Sequence, residues 1–378
     1  MYSYEKENRI EKEKIYRLVK WYQGKPTSPF KIDVEIHRRC NLKCLPCLRQ
    51  QQGFDFNEDS KKYEMSLDKW IEIVNEAADM GILIWNIEGG GEPLAVKKLT
   101  LPIMKEVKRR GMYGIITTNG TLWTEDEIKN LVKMQWDRIH FSIDGPDAKT
   151  HDYIRGVKGC FNKTINNIKL LNKWKQKLKI ENPMLSINIV LSKKNYNKLD
   201  KLVKLSHNLK ADFIFIEPLI VFSKLGEKLK LSNREQKKLP QHIKKAKILA
   251  EKYKIDNNFA TKDENLNGEL VKNTSSMETV LLEDVKDKQD PFLSAPCDRP
   301  WNNMAIKYNG LTGHCGLLQE GENIKDKKLR QIWYGSFLKK IRKTILKKKL
   351  LSHCSRCVPS DITQRRRLRK EIAKALKK

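Results

Sequence analysis

The stretch Lys31-Ile32-Asp33-Val34-Glu35-Ile36-His37-Arg38-Arg39-Cys40-Asn41-Leu42-Lys43-Cys44-Leu45-Pro46-Cys47 decides how this chain is read. Ile32, Val34 and Ile36 alternate with Asp33 and Glu35, the period-two mark of a strand with one apolar face. Three cysteines follow at once with the spacing Cys-x3-Cys-x2-Cys. Three thiolates on one short loop can converge on a single inorganic centre, and thiolate sulfur suits an iron-sulfur cluster or zinc. Three ligands leave a four-iron cluster with one iron not held by the protein, and an open iron is where a substrate or cofactor binds. A zinc loop completed by His37 or by a remote residue is the rival, for which this spacing is poor.

Working outward, β-rich runs recur at Ile82 to Ile87, Gly114 to Thr117, Ile139 to Ile143, Leu185 to Val190 and Phe213 to Ile216. Helical patterns fill the gaps, among them Leu67-Trp70-Ile71-Val74 and Ile165-Ile168-Leu171. Six βα repeats predict an α/β fold with a parallel sheet and helices outside. Periodicity alone leaves an open doubly wound sheet and an incomplete barrel equally available.

The ends of these strands carry the polar signals. Glu88-Gly89-Gly90-Gly91-Glu92-Pro93-Leu94 follows the second strand, a glycine run that lets backbone approach a ligand closely, with Glu92 as an acceptor for an ammonium group. The third ends in Thr117-Thr118-Asn119-Gly120-Thr121 and the fourth in Ser142-Ile143-Asp144-Gly145, with Tyr153-Ile154-Arg155-Gly156 beyond. Arg155 has the planar fork that a carboxylate needs. Glu217 and Pro218 close the sixth strand, and C-terminal strand ends form the functional face of a parallel βα array.

Residues 1–29 read as a helical extension through Ile10, Ile15, Leu18, Val19 and Tyr22, and residues 30–254 as the βα array. Residues 255–296, rich in Asn, Asp, Glu, Lys, Ser and Thr, read as a linker or insertion. Residues 297–360 contain Cys297, Cys315, Cys354 and Cys357, with a predicted hairpin around Asn309-Gly310, and form a small satellite domain. Four thiolates there fit a saturated four-iron cluster or structural zinc. Cys160 belongs to neither set, and residues 361–378 read as a basic helix with Leu368, Ile372 and Leu376 on one face.

The chain has 378 residues, 39% hydrophobic, with a formal charge of +30. That composition fills a core and excludes a natively disordered chain. No run approaches the roughly 18 apolar residues a membrane span requires, and Met1 to Lys20 lacks a signal-peptide core. A cytoplasmic location is the expectation, and a reducing cytosol turns tight cysteine spacing toward metal binding rather than disulfides. Residues 337–378 hold sixteen Lys and Arg against Asp361 and Glu371, close to half of the charge excess. Such a tail is a solvated helix or a contact for RNA, an anionic membrane or an acidic peptide.

The three-cysteine loop after the first strand, the Gly-Gly-Glu-Pro segment at 90–93, the Thr-Asn-Gly turn at 118–120 and the segments around Ser142 and Arg155 together resemble the radical S-adenosylmethionine superfamily. One departure is Pro46, where that family often has an aromatic residue beside the adenine. The resemblance implies a partial (βα)6 TIM-like barrel with a small C-terminal Cys-rich domain of β-hairpin plus helix. It implies a four-iron cluster on Cys40, Cys44 and Cys47, and S-adenosylmethionine bound through Gly90, Gly91, Glu92, Thr118, Asn119, Ser142 and Arg155. Cys297-x12-Gly-x4-Cys315 followed by Cys354-x2-Cys357 is similar to the SPASM/Twitch extension, which implies a second, auxiliary four-iron cluster without an open iron.

The implied activity is reductive cleavage of S-adenosylmethionine to a 5′-deoxyadenosyl radical that abstracts hydrogen from a substrate. The auxiliary cluster would take the surplus electron. A peptide is the first expectation for that substrate, a sugar or other small alcohol the next, and RNA a third. A one-electron donor such as flavodoxin or ferredoxin is the implied partner. Glu217 and Cys160 are the candidates for direct catalysis. The rival of another class is a non-catalytic iron-sulfur or zinc protein, which has no need of Glu92, Asn119 and Arg155 at successive strand ends.

Overall fold

The computed structural model describes residues 2–50, 57–58, 60–259, 281–282, 285, 289–317, 320–357 and 359–377. Most of the segment 255–296 lies outside the described residues. The six strands expected from the sequence are β1 (Lys31–Val34), β2 (Ile84–Ile87), β3 (Tyr113–Thr118), β4 (Arg138–Ser142), β5 (Met184–Leu191) and β6 (Phe213–Pro218). A two-residue β7 (Asp256–Asn257) pairs with β6, too short to carry a period. The strands stand in the order β7-β6-β5-β4-β3-β2-β1, and all these pairs are parallel.

That order decides between the two architectures periodicity left open. A doubly wound sheet reverses its strand order at a switch point, whereas this one advances in a single direction. With right-handed crossovers every helix then lies on the same side and the sheet curls as a barrel does. The fold is an open, partial barrel.

On the convex side, Ile32, Val34, Trp85, Phe141, Leu185 and Ile214 are fully buried against the helices. Helix α2 (Leu67–Asp79) begins where the Ser66 hydroxyl accepts the Lys69 N–H, and it buries Trp70, Ile73, Val74 and Ala77. Trp70 meets Trp85 edge to face at 6.3 Å. Helix α1 (Tyr2–Tyr22) is pinned by Arg17, which donates to the carbonyls of Pro29 (2.9 Å) and Gly81 (2.7 Å), the entries to β1 and β2. The concave side is polar: Asn86 donates to Asp33 (2.8 Å), and the His140 ring lies 3.2 Å from the Asn188 side-chain oxygen. Burial, reinforced by Arg138, pushes His140 down to about 3, so its ring is neutral.

The C-terminal hairpin extends this sheet. Strand β8 (Asn303–Ile306) lies parallel beside β1, with Asn303 opposite Lys31 and Ile306 opposite Val34. Strand β9 (Thr312–Gly313) returns antiparallel to it, and Arg299 just before β8 reaches Asp33 at 3.3 Å. Edge pairing covers the exposed hydrogen-bonding groups of β1, which a detached satellite would leave open.

Candidate functional site

The loop carrying Cys40, Cys44 and Cys47 leaves the C-terminal end of β1 and is bonded to the segments that follow β2, β3 and β4. From the β2 side, Glu92 N–H donates to the Arg39 carbonyl at 2.8 Å. Gly91 permits this approach, because a Cβ there would run into that same carbonyl oxygen. From the β3 side, Asn119 Nδ2 donates to Asn41 Oδ1 at 2.9 Å, and Asn41 Nδ2 donates to the Thr121 hydroxyl at 2.8 Å. From the β4 side, the carbonyls of Ile154 and Arg155 accept the N–H groups of Leu45 (2.9 Å) and Lys43 (3.2 Å). Helix α3 (Ala148–Arg155) stops there at Gly156, which has a left-handed φ of +70° and no room for a Cβ against Lys43.

The sulfurs are provided with donors. Leu42 N–H points at Cys40 Sγ (3.5 Å) and the Arg155 guanidinium at Cys44 Sγ (3.8 Å). The three thiols lie within electrostatic reach of one another. Burial pushes Cys44 up to about 11, so loading a cluster must release protons. His37, the candidate fourth ligand of a zinc loop, is already engaged: Nδ1 accepts Arg39 N–H at 3.2 Å and Nε2 faces the Pro93 carbonyl at 3.1 Å.

Glu92 is 3% exposed and sits between β2 and β3. Its carboxylate accepts the Thr118 hydroxyl (2.6 Å) and Asn119 N–H (2.6 Å). Burial outweighs these donors and pushes its pKa up to about 7. Arg155 pairs with the buried carboxylate of Asp144 at 2.8 Å, and Asp144 also accepts Val190 N–H at 2.8 Å. Among the described residues, buried Arg155 Nε has no hydrogen-bond partner, which leaves one edge of the fork for an incoming acceptor.

Of the remaining expected residues, Gly90 lies over Glu35 and the His37 carbonyl, while Ser142 ends β4 opposite Asn188. Glu217, near the end of β6, is opposite Val190 and so level with Asp144. Cys160 begins helix α4 (Cys160–Leu178) within electrostatic reach of Arg155 and Cys44, 2% exposed, and its thiol donates to Asp152 at 3.2 Å. Burial and that carboxylate push it up to about 12, the setting of an inert thiol. Asn41 and Asp144 were not among the residues expected to serve the site. Asn41 lies between two of the cysteines and Asp144 follows Ser142 in its strand-end segment, which are the only sequence signals they carry.

The second cysteine group lies at the other end of the sheet. Cys297 precedes β8, Cys315 follows β9, and Asn303 Nδ2 donating to the His314 carbonyl (3.2 Å) ties the two approaches together. Cys297 is within electrostatic reach of Cys315 and Cys357, as is Cys354 of the same pair. Leu317 N–H points at Cys315 Sγ (3.5 Å). Burial pushes Cys297 up to about 12 and Cys354 to about 11.

A parallel barrel whose first strand ends in a three-thiol loop braced by a carboxylate, an asparagine and an arginine defines a class of cofactor-binding protein. The radical SAM superfamily model matches residues 34–205, and the model of the SPASM iron-sulfur cluster-binding domain matches residues 297–358. The chain carries a radical SAM domain and a C-terminal SPASM domain, whose cofactors are S-adenosylmethionine and iron-sulfur clusters.

Among curated relatives, the chain is 30% identical over 189 residues to a tungsten-containing aldehyde ferredoxin oxidoreductase cofactor-modifying protein of Pyrococcus furiosus, covering 50% of this chain and 51% of that one. It is 26% identical over 184 residues to a PqqA peptide cyclase of Bradyrhizobium diazoefficiens, covering 49% and 45%. The chain thus spans about half the length of the curated relatives it matches. Among solved structures, Streptococcus suis SuiB bound to precursor peptide SuiA superposes with a TM-score of 0.60 at 20% identity, covering 84% of this chain and 67% of that one, a likeness of fold. No helix among the described residues is long and apolar enough to cross a membrane.

The residues present fit the cofactors the family uses. Thiols with N–H and guanidinium donors aimed at their sulfurs are a soft donor set whose hydrogen bonds temper the sulfur charge. Arg155 Nε, without a partner among the described residues, suits a carboxylate.

Proposed function

We propose that this protein is a radical S-adenosylmethionine enzyme that abstracts hydrogen from a peptide, in a maturase-type oxidation or crosslink. Support comes from one observation above all: the segments bearing Glu92, Asn119 and Arg155 are each bonded to the loop of Cys40, Cys44 and Cys47. When bound, the cluster and S-adenosylmethionine supply one-electron reductive cleavage to a 5′-deoxyadenosyl radical.

The protein's part is holding and shielding. Cys40, Cys44 and Cys47 would hold the first cluster, and Cys297, Cys315, Cys354 and Cys357 the second. Ionised Glu92 accepts from the methionine ammonium, with Thr118 and Asn119 fixing its orientation. Arg155, kept in place by Asp144, meets the methionine carboxylate, and Ser142 the ribose. Gly90 and Gly91 keep side chains out of the space between the β2 end and the cysteine loop.

The peptide reading leans on the likeness to PqqA peptide cyclase. Work on another protein's cofactor is the second reading, favoured by the Pyrococcus relative. The test uses anaerobically reconstituted, reduced protein and measures 5′-deoxyadenosine with and without a peptide fraction of its host, before and after protease digestion. Stimulation that digestion abolishes supports a peptide. Stimulation that survives digestion moves the substrate to a small molecule such as an alcohol. No cleavage with both clusters intact overturns the enzyme reading.

A further inference from the structure

The basic C-terminal helix Pro359–Leu376 is not uniformly solvated. Leu368 and Ile372 are buried, and so is Arg365, at 4% exposure. Arg369 reaches inward too, donating to the Ala295 carbonyl at 2.8 Å. Arg367 on the same helix is exposed and pairs with exposed Glu11 at 3.4 Å.

Arg365 is placed at the second cysteine group. Its Nη1 donates to the Pro296 carbonyl at 3.0 Å and its Nε lies 3.2 Å from Asp298 Oδ1. Its Nη2 donates to Cys357 Sγ at 3.6 Å. One guanidinium thus grips the residues on both sides of Cys297 while touching the sulfur of Cys357, joining two segments far apart in sequence. Asp298 does not cancel its charge alone, because that carboxylate also accepts from Asn302 (2.5 Å) and faces Lys14 at 4.0 Å.

We propose that Arg365 is the positioning and charge-setting residue of the auxiliary cluster, holding Cys297 and Cys357 in register and making the cluster easier to reduce. This rests on the reading that Cys297, Cys315, Cys354 and Cys357 hold an iron-sulfur cluster. Reduction adds one electron to an anionic group ligated by four thiolates. A guanidinium that stays charged at every accessible pH stabilises the reduced form more than the oxidised one, and hydrogen bonds to cluster sulfurs move the potential in the same direction. The carboxylate of Asp298 acts with the opposite sign. An auxiliary cluster that receives the substrate's surplus electron needs such a bias.

The test uses the full chain with Cys40→Ala, Cys44→Ala and Cys47→Ala, so that only the auxiliary signal is seen, reconstituted anaerobically and titrated with dithionite under electron paramagnetic resonance. Arg365→Gln is expected to lower the reduced-to-oxidised ratio at a fixed poise by tenfold or more, equivalent to about 59 mV for one electron. Asp298→Asn is expected to raise it. Arg365→Lys, which keeps charge but loses the fork, is expected between parent and Arg365→Gln. Arg367→Gln removes an exposed charge from the same helix and is expected to leave the potential unchanged.

Equal potentials in Arg365→Gln, Arg365→Lys and Asp298→Asn would overturn the proposal. So would Leu368→Ala, which loosens the helix without changing charge, if it moved the potential as far as Arg365→Gln. If Arg365→Gln fails to retain iron, the opposite shifts expected of Arg365→Lys and Asp298→Asn still decide. A parent protein without an auxiliary iron signal would overturn the cluster reading itself, whereas a parent with the signal and unshifted variants would overturn only the role of Arg365.

Discussion

The two cysteine groups are built in opposite ways. Cys40, Cys44 and Cys47 come from a single loop, all partly exposed, and the surroundings are fitted around that loop by backbone contacts from Glu92, Ile154 and Arg155. Cys297, Cys315, Cys354 and Cys357 come from three separate segments, and Cys297 is part of the main hydrophobic core. A site made by one loop can lose its cofactor while the scaffold stands. A site assembled from remote segments doubles as a fastener, so its cofactor and its fold are linked. The first arrangement suits a centre that must stay open to a ligand, and the second suits one that is closed.

The largest effect that would sharpen this contrast is on chemistry. Replacing Cys40, Cys44 and Cys47 together by Ala should abolish 5′-deoxyadenosine formation and lower iron from about eight to about four per chain, with the circular dichroism spectrum retained. A collapse of the fold in that variant would break the comparison. Next in size is Gly91→Ala: the new methyl meets the Arg39 carbonyl, and overpacking of this kind costs about 1–3 kcal/mol. Where that displacement moves Glu92 relative to the cysteine loop, cleavage falls roughly tenfold or more, and the same strain lowers the melting temperature by about a few degrees. Third, Cys297→Ala should lower the melting temperature of the reconstituted protein by about 5 °C or more, and Cys40→Ala by clearly less. Equal falls would mean that both groups are fasteners.

Both groups were legible in the sequence, the first from its local Cys-x3-Cys-x2-Cys spacing and the second from the pattern Cys297-x12-Gly-x4-Cys315 with Cys354-x2-Cys357, whereas the way the second is built into the fold was not. The strand at Ile32 to Ile36 and the cysteines behind it are local, and the order of later strand-end segments follows from a repeated βα unit, so spacing and turn residues carried them. The pairing of β8 with β1 was not legible, because four buried residues, Asn303 to Ile306, read alike in a separate hairpin and in an extended sheet. Nor was Arg365 distinguishable among sixteen cations of the tail, since what sets it apart is a burial that depends on where Leu368 and Ile372 dock. Asp144 lies in a recognisable strand-end segment, yet its pairing with Arg155 joins that strand end to the last turn of α3 and has no spacing rule. In each case the missing information is a long-range contact.

The smallest expected effect tests whether the first site is tuned as well as placed. Glu92 is pushed up to about 7 by burial, from an ordinary value of 4.5. Between those values an unfolded chain ionises this group while the folded one keeps its proton, so its contribution to the stability of the cofactor-free protein falls as pH rises from about 4.5 to 7 and then levels. Ligand binding runs the other way. An ammonium needs the ionised carboxylate, so S-adenosylmethionine affinity should rise across pH 6 to 8 as Glu92 ionises, by up to about tenfold per unit below pH 7. In Glu92→Gln the affinity should be weaker and its pH dependence flat, since the amide does not titrate and only one of its two ends can accept. Equilibrium dialysis of labelled S-adenosylmethionine at several pH values reads both. The same slope in the variant would assign the titration to another group and reduce Glu92 to a brace between β2 and β3. A slope lost only in the variant would mean that the carboxylate bracing the two strand ends is also the group meeting the ammonium, and that ligand binding itself draws the proton off.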